Sequence, residues 1–120
     1  MNAAPPPMPG SSRSIIVTTA NDVAGTRITQ YLGLVRGLVV RTPNIGASIM
    51  GALKSLGGGN ITEFVKVCEA ARQHAYDIML EHAAAVGADA IIAMRYDATE
   101  FSQHCTEVLA YGTAVKCRPC

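Results

Sequence analysis

The side chains in this sequence that could do chemistry are its thiols, its imidazoles and one group of charges in the C-terminal third. Four cysteines and three histidines are spread through 120 residues. Cys117-Arg118-Pro119-Cys120 is a C-x-x-C. That spacing lets two thiolates hold one soft ion such as Zn²⁺ or Cu(I), and it also suits dithiol–disulfide exchange. A structural zinc site takes four ligands, so a pair needs partners from elsewhere. The redox form opens a helix whose dipole lowers the thiol pKa, and no helix is expected to follow this pair. A frayed tail with accidental spacing accounts for the pair before either chemistry is invoked.

His104-Cys105 is a second pair of soft ligands, in a loop before the last apolar segment. A symmetry mate could bring another such pair near it, although neighbouring residues of these types also occur without a metal. Arg95, Asp97, Glu100 and Glu107 gather in the same part of the chain. Paired carboxylates can do acid–base work, and ion pairs at an interface between copies account for them equally well. Gly57-Gly58-Gly59 lacks the lysine and the Ser or Thr that a phosphate loop requires, so it reads as a hinge. Gly46–Gly51 misses the nucleophile-elbow spacing by one residue.

These residues must be placed by a small number of elements. Residues 14–19 (SIIVTT) are β-branched and suit a first strand. Asn21 to Gly25 supply a turn, and residues 28–41 (ITQYLGLVRGLVVR) form a longer strand. Gly33 and Gly37 share one face of it, which suggests close approach by another backbone or subunit. Residues 47–56 fit a short helix, which Gly57–Gly59 would stop. Asn60, with Glu63 three residues on, caps a long helix over 61–86. Its apolar stripe runs through Phe64, Cys68, Ala71, Ala75, Ile78, Met79, His82 and Val86. On this reading Cys68 is a small core residue, His82 a hydrogen-bonded interior or interface histidine, and His74 solvated. Tyr76, Leu80 and Ala84 make a weaker stripe that a lone subunit would leave wet. Gly87 is the expected stop.

Residues 90–97 and 107–116 are the third and fourth strands, joined by a loop over 98–106. Alternation sends Ile92, Met94 and Tyr96 one way and Ile91, Ala93, Arg95 and Asp97 the other. In the last strand, Val108, Ala110, Gly112 and Ala114 oppose Leu109, Tyr111, Thr113 and Val115. Both faces are apolar, and one long helix covers only one. The predicted fold is therefore two-layer α+β: a mostly antiparallel four-stranded sheet on one long helix, plus a short helix. The uncovered face calls for a second copy.

Composition agrees with this. Hydrophobic residues make up 49% and charged residues 16%, where a soluble domain carries roughly 25% charge. The formal net charge is +1 and no basic stripe exists, which argues against a nucleic-acid partner. Residues 1–12 have neither the basic nor the apolar part of a secretory signal and read as a disordered tail. No apolar run reaches the roughly 18 residues of a membrane span. The expected compartment is the cytoplasm, with reduced thiols. The expected domain is 13–116, followed by an extension over 117–120.

YLGLVRGLVV, TPNIG, LGGGNITEF, AARQHAYDIM, GADAIIAMRYD and TEVLAYGTAV together resemble the YbjQ-like family, over about residues 15–115. These are small bacterial and archaeal proteins catalogued as "putative heavy-metal-binding". The resemblance implies a dodecin-like subunit assembled into a homopentameric ring, and carries no rule for the cysteines at 68 or 105. The family usually ends soon after the GTAV strand, which makes 117–120 an addition. The leading functional expectation is a non-enzymatic oligomeric binding protein whose ligand is a soft heavy metal, Zn or Cu, at Cys117, Cys120, His104 and Cys105. The alternatives are a ring-forming scaffold with a small organic ligand in its inter-subunit clefts, and an enzyme using the Arg95/Glu107 region.

Overall fold

The computed structural model describes residues 14–41, 61–102 and 105–120. The terminal segment 1–12, the short helix expected over 47–56, the glycine hinge and the Asn60 cap lie outside them. The described elements are β1 (Ile16–Val17), β2 (Thr26–Arg41), α1 (Ile61–Ala85), β3 (Ala90–Ser102) and β4 (Cys105–Pro119). They form one four-stranded sheet in the order β1-β3-β4-β2, with α1 packed on one side.

The sheet is mixed rather than mostly antiparallel. β4 pairs antiparallel with both β2 and β3, whereas β1 pairs parallel with β3 through Ile16–Ala90 and Val17–Ile91. Three strands therefore run one way and only β4 opposes them. The long helix explains this: a chain that leaves β2, crosses in a helix and returns to the same sheet re-enters in the original direction. β4 then fills the gap between β2 and β3.

The helix lies close because small residues face small residues. Ala71, Ala75, Met79 and Ala83 are buried against Val35, Val39, Val108, Ala110 and Ala114. Gly37 sits directly beneath the helix, and a Cβ there would fall onto the Ala75 carbonyl oxygen and within 2.6 Å of the Met79 amide nitrogen. Gly33 does a different job: its φ of 100° belongs to a bulge in β2, with open space around it. α1 ends as expected at Gly87 (φ 77°), where Ala88 donates to the Ala83 carbonyl and Gly87 to that of Ala84. These two bonds satisfy carbonyls that the last turn would otherwise leave open.

Only part of the predicted apolar stripe of the helix turns inward. Cys68 and Val86 are exposed, which corrects the inward placing of Cys68 as a small core residue. His82 is exposed in one copy and makes the hydrogen bond expected of it, with the Arg36 amide. Tyr76 and Leu80, expected to be wet, pack against the core. The contact line follows the i, i+4 row Ala71-Ala75-Met79-Ala83, because alanines permit the closest approach to Gly37. Apolarity alone does not distinguish that row from its neighbour.

The loop expected over 98–106 is instead a continuation of both strands, which pair as far as Ser102 and Cys105. A bulge at Ile92/Arg95, with Ala93 at φ 53°, also shifts the alternation in β3. Ile91 and Met94 join the helix-side core, while Ile92 joins a second cluster with Ala90 and Val115. The bulge receives the end of β1: Met94 donates to the Thr18 carbonyl and Ala93 to that of Ala20. From there residues 18–25 cross the sheet away from the helix. Val23 packs over the second cluster before Thr26 enters β2.

Candidate functional site

The predicted ligands are dispersed along the sheet. β4 continues through the C-x-x-C: Cys117 is the register partner of Ile28, Arg118 of Arg27 and Pro119 of Thr26. Cys117 is half-buried against the cluster of Ala90, Ile92 and Val115, and its amide donates to Asp89 Oδ2 at 3.1 Å. Cys120 is exposed, and its amide donates to the Gly25 carbonyl at 3.0 Å. Residues three apart in an extended chain project to opposite sides, with Cα atoms about 10 Å apart. The two thiols of one copy thus face different surroundings.

Cys105 is half-buried where β4 begins, opposite Ser102. It stands twelve residues before Cys117, about 40 Å away along an extended strand. His104 lies outside the described residues. Cys68 is exposed on α1, and all four cysteines are free thiols. Among the described residues no three of His, Cys, Asp and Glu come together in a way that could hold a metal ion. Arg95 and Glu107 are also apart: Arg95 is registered on Tyr111, whereas Glu107 is registered on Thr99 and Val40.

What the structure does bring together is a broad face of the sheet, opposite α1 and beyond the cover provided by Val23. Residues of β2 between the buried Val35, Gly37 and Val39 point there. Leu34 is 58% exposed, Leu38 48% and Val40 43%, with Tyr31 at 69% farther back. Across β4 they meet Thr113 (from Leu34), Tyr111 (from Arg36), Leu109 (from Leu38) and Glu107 (from Val40). Fully burying one such aliphatic side chain is worth about 1.5–3 kcal/mol, so a solvated face of this composition is costly. The alternation GLVRGLVV carries this signal in the sequence, because Arg36 is the one residue that interrupts apolar side chains and glycines on both parities.

Two contacts tie the helix to the sheet margins. His82 Nδ1 accepts a hydrogen bond from the Arg36 amide at 3.2 Å, so the imidazole carries any neutral-state proton on Nε2. It thereby caps one donor of β2, the outermost strand of the sheet. On the opposite side Arg72 stacks over Tyr96, 5.3 Å from the ring centroid. Burial holds the Tyr96 phenol above its ordinary value of 10.0, and Tyr76 adds to this while Arg72 opposes it. Among the described residues no helix is long and apolar enough to cross a membrane.

Comparison with known proteins follows the same residues. A family model described as "Putative heavy-metal-binding" matches residues 15–118, which includes Cys117 and Arg118. A UPF0145 protein of Legionella pneumophila (strain Lens) is 54% identical over 102 residues, 85% of this chain and 97% of the relative. A UPF0145 protein of Chromobacterium violaceum is 52% identical over 104 residues, 87% of this chain and 89% of the relative. Among solved structures, a DUF74-family protein of unknown function from Pediococcus pentosaceus is similar with a TM-score of 0.53. It is 16% identical, and the match covers 87% of this chain and 98% of that one, a likeness of fold alone. The family match and the two relatives span nearly the whole described domain, and the chain belongs to the YbjQ-like family.

Proposed function

We propose that this chain is a non-enzymatic binding protein that works as a closed ring of identical copies, with the sheet face opposite α1 as the contact between them. The observation that carries the reading is the row Leu34, Leu38 and Val40, exposed on a strand whose alternate residues are fully packed. The low charge of the chain supports it, as does the dodecin-like pentamer that the family resemblance implies. A cytoplasmic setting, where the thiols stay reduced, completes the reading.

The ligand class is a soft metal such as Zn²⁺ or Cu(I), held by thiolates from more than one copy. The description of the family supports the metal, and the extended geometry that separates Cys117 from Cys120 within one chain is the reason the ligands would come from more than one copy. A ring repeats each thiol around its axis and can supply from neighbours what one copy lacks. The test is native mass spectrometry of reduced, untagged protein with and without added Zn²⁺. A multimer that takes up metal in a fixed ratio to subunits supports both parts. A multimer with no uptake refutes the metal, and a monomer refutes the ring.

A further inference from the structure

β2 closes the described sheet on one side, so its outward amides have no neighbouring strand among the described residues. One of them is covered from the helix instead. The Arg36 amide donates to His82 Nδ1 at 3.2 Å, between residues 46 positions apart in the chain. An imidazole accepts at Nδ1 only while that nitrogen carries no proton, so the bond belongs to the neutral form and is denied to the imidazolium. His82 is exposed in one copy, and a proton from solvent can reach it.

The contact falls at a sensitive point of β2. Gly37, the next residue, lies under the helix backbone at Ala75 and Met79. Val35 is buried beneath the helix, while Leu34 and Leu38 belong to the exposed row on the other face. His82 stands in the last turn of α1, so it ties that turn to the stretch of strand carrying the row. The charged groups on the elements meeting here are Glu81, which precedes His82, and Asp77, whose carboxylate accepts from Gln73 at 2.9 Å. β2 brings Arg36, with its side chain on the face away from α1. β4 brings Lys116, whose Nζ is 3.7 Å from where a Cβ on Gly87 would stand. Among the described residues His82 takes part in no ion pair, and the negative end of the helix dipole accommodates a positive charge in the last turn.

We propose that His82 is a pH-operated latch between α1 and the edge of β2, shut while the imidazole is neutral, and that opening it weakens the contact between copies. Protonation puts a hydrogen on Nδ1 facing the Arg36 N–H. Donor then meets donor, the ring turns to water, and the amide is uncovered. The stretch from Leu34 to Leu38 loses its tie to the helix. The bond therefore contributes above the ordinary imidazole range, centred near about 6.5, and is lost as pH falls through it. The effect on assembly rests on the reading of that face as the contact between copies, whereas the latch itself stands within one chain.

The experiment is amide hydrogen exchange on the isotope-labelled full chain, read at the Arg36 amide by NMR from about pH 8 to about pH 5, the span in which histidine changes charge. Protection, taken relative to an unfolded chain at each pH, should fall about fivefold or more on acidification, the scale of one hydrogen bond. His82→Ala should show the low value throughout. In His82→Asn the side-chain oxygen stands as many bonds from Cα as Nδ1 does and takes up no proton in this range, so protection should persist. His82 lies outside the buried core, and circular dichroism checks that both variants fold. Light scattering on the same samples reads the consequence: wild type should lose mass on acidification, and His82→Asn should not. Wild-type protection that is constant with pH, or that His82→Asn loses as wild type does, overturns the latch. Protection that falls while the multimer keeps its mass overturns the link to assembly. A wild type that is monomeric at every pH refutes the assembly reading instead, and the exchange data still decide the latch.

Discussion

Gly37 and Gly33 stand four residues apart in β2 and answer to different demands. Gly37 is a space requirement, since its missing Cβ is where the backbone of α1 passes at Ala75 and Met79. Gly37→Ala should destabilise the fold by about 3 kcal/mol, the upper end of ordinary overpacking, because helix backbone cannot move aside as a side chain can. Urea denaturation monitored by circular dichroism would measure it. Tyr96 gives a second prediction at this scale. Its phenol titrates above the ordinary value of 10.0, chiefly through burial, while Arg72 pulls it down. Arg72→Ala should move that titration further up, as read by ultraviolet absorbance of tyrosinate. A folded-state value raised above the unfolded one means a contribution present below about pH 10 and lost as pH rises through the Tyr96 titration. An unchanged absorbance titration in Arg72→Ala would show that the stacked guanidinium does not act on the ring.

At the scale of elements, the strands and the helix were legible in the sequence, and their rotations were not. Period-two alternation correctly separated Val108, Ala110 and Ala114 from Leu109, Tyr111 and Thr113, because β4 runs unbroken. The same rule put Ile92 with Met94 and Ile91 with Arg95, whereas Ile91 and Met94 share the helix-side core and Ile92 faces away, because a bulge adds a residue and reverses every assignment across it. Nothing in AIIAMRYD announces that Ala93 will adopt a positive φ. The helix was misrotated for a related reason: apolarity ranks Cys68 with Ala71, whereas packing selects whichever row lets the backbones approach. The segment 117–120, expected as an extension beyond the domain, continues β4 as far as Pro119, and its cross-strand partners Ile28, Arg27 and Thr26 lie about ninety residues away in the sequence. Its strand geometry has a direct consequence. Cys117 and Cys120 have Cα atoms about 10 Å apart, beyond the roughly 7 Å that a disulfide tolerates. Mild oxidation of the native protein should therefore leave no bridge between them within one chain. In thiol labelling, the exposed Cys68 and Cys120 should react faster than the half-buried Cys105 and Cys117. A Cys117–Cys120 bridge found by peptide mapping of folded protein would contradict the end of β4.

At the scale of the whole molecule, one helix among the described residues serves a sheet with two apolar faces, and of the described residues the crossing segment with Val23 covers one corner of the second. Leu34, Leu38 and Val40 are left to be buried by something of their own size and character, and a second copy of the same face qualifies. Leu38→Glu places a charge in the middle of that contact, where desolvation without a partner is expensive. It should dissociate the assembly while leaving the circular dichroism of the subunit unchanged, since Leu38 touches none of the helix-side core. The central claim is that this face is an interface between copies. The measurement that tests it most directly is light scattering coupled to size exclusion, on the untagged chain at micromolar concentration beside Leu38→Glu. The account predicts a multiple of the single-chain mass for wild type, with five copies the expected number, and a shift toward the single-chain mass for the variant. A wild-type chain that elutes at the mass of one copy would contradict it.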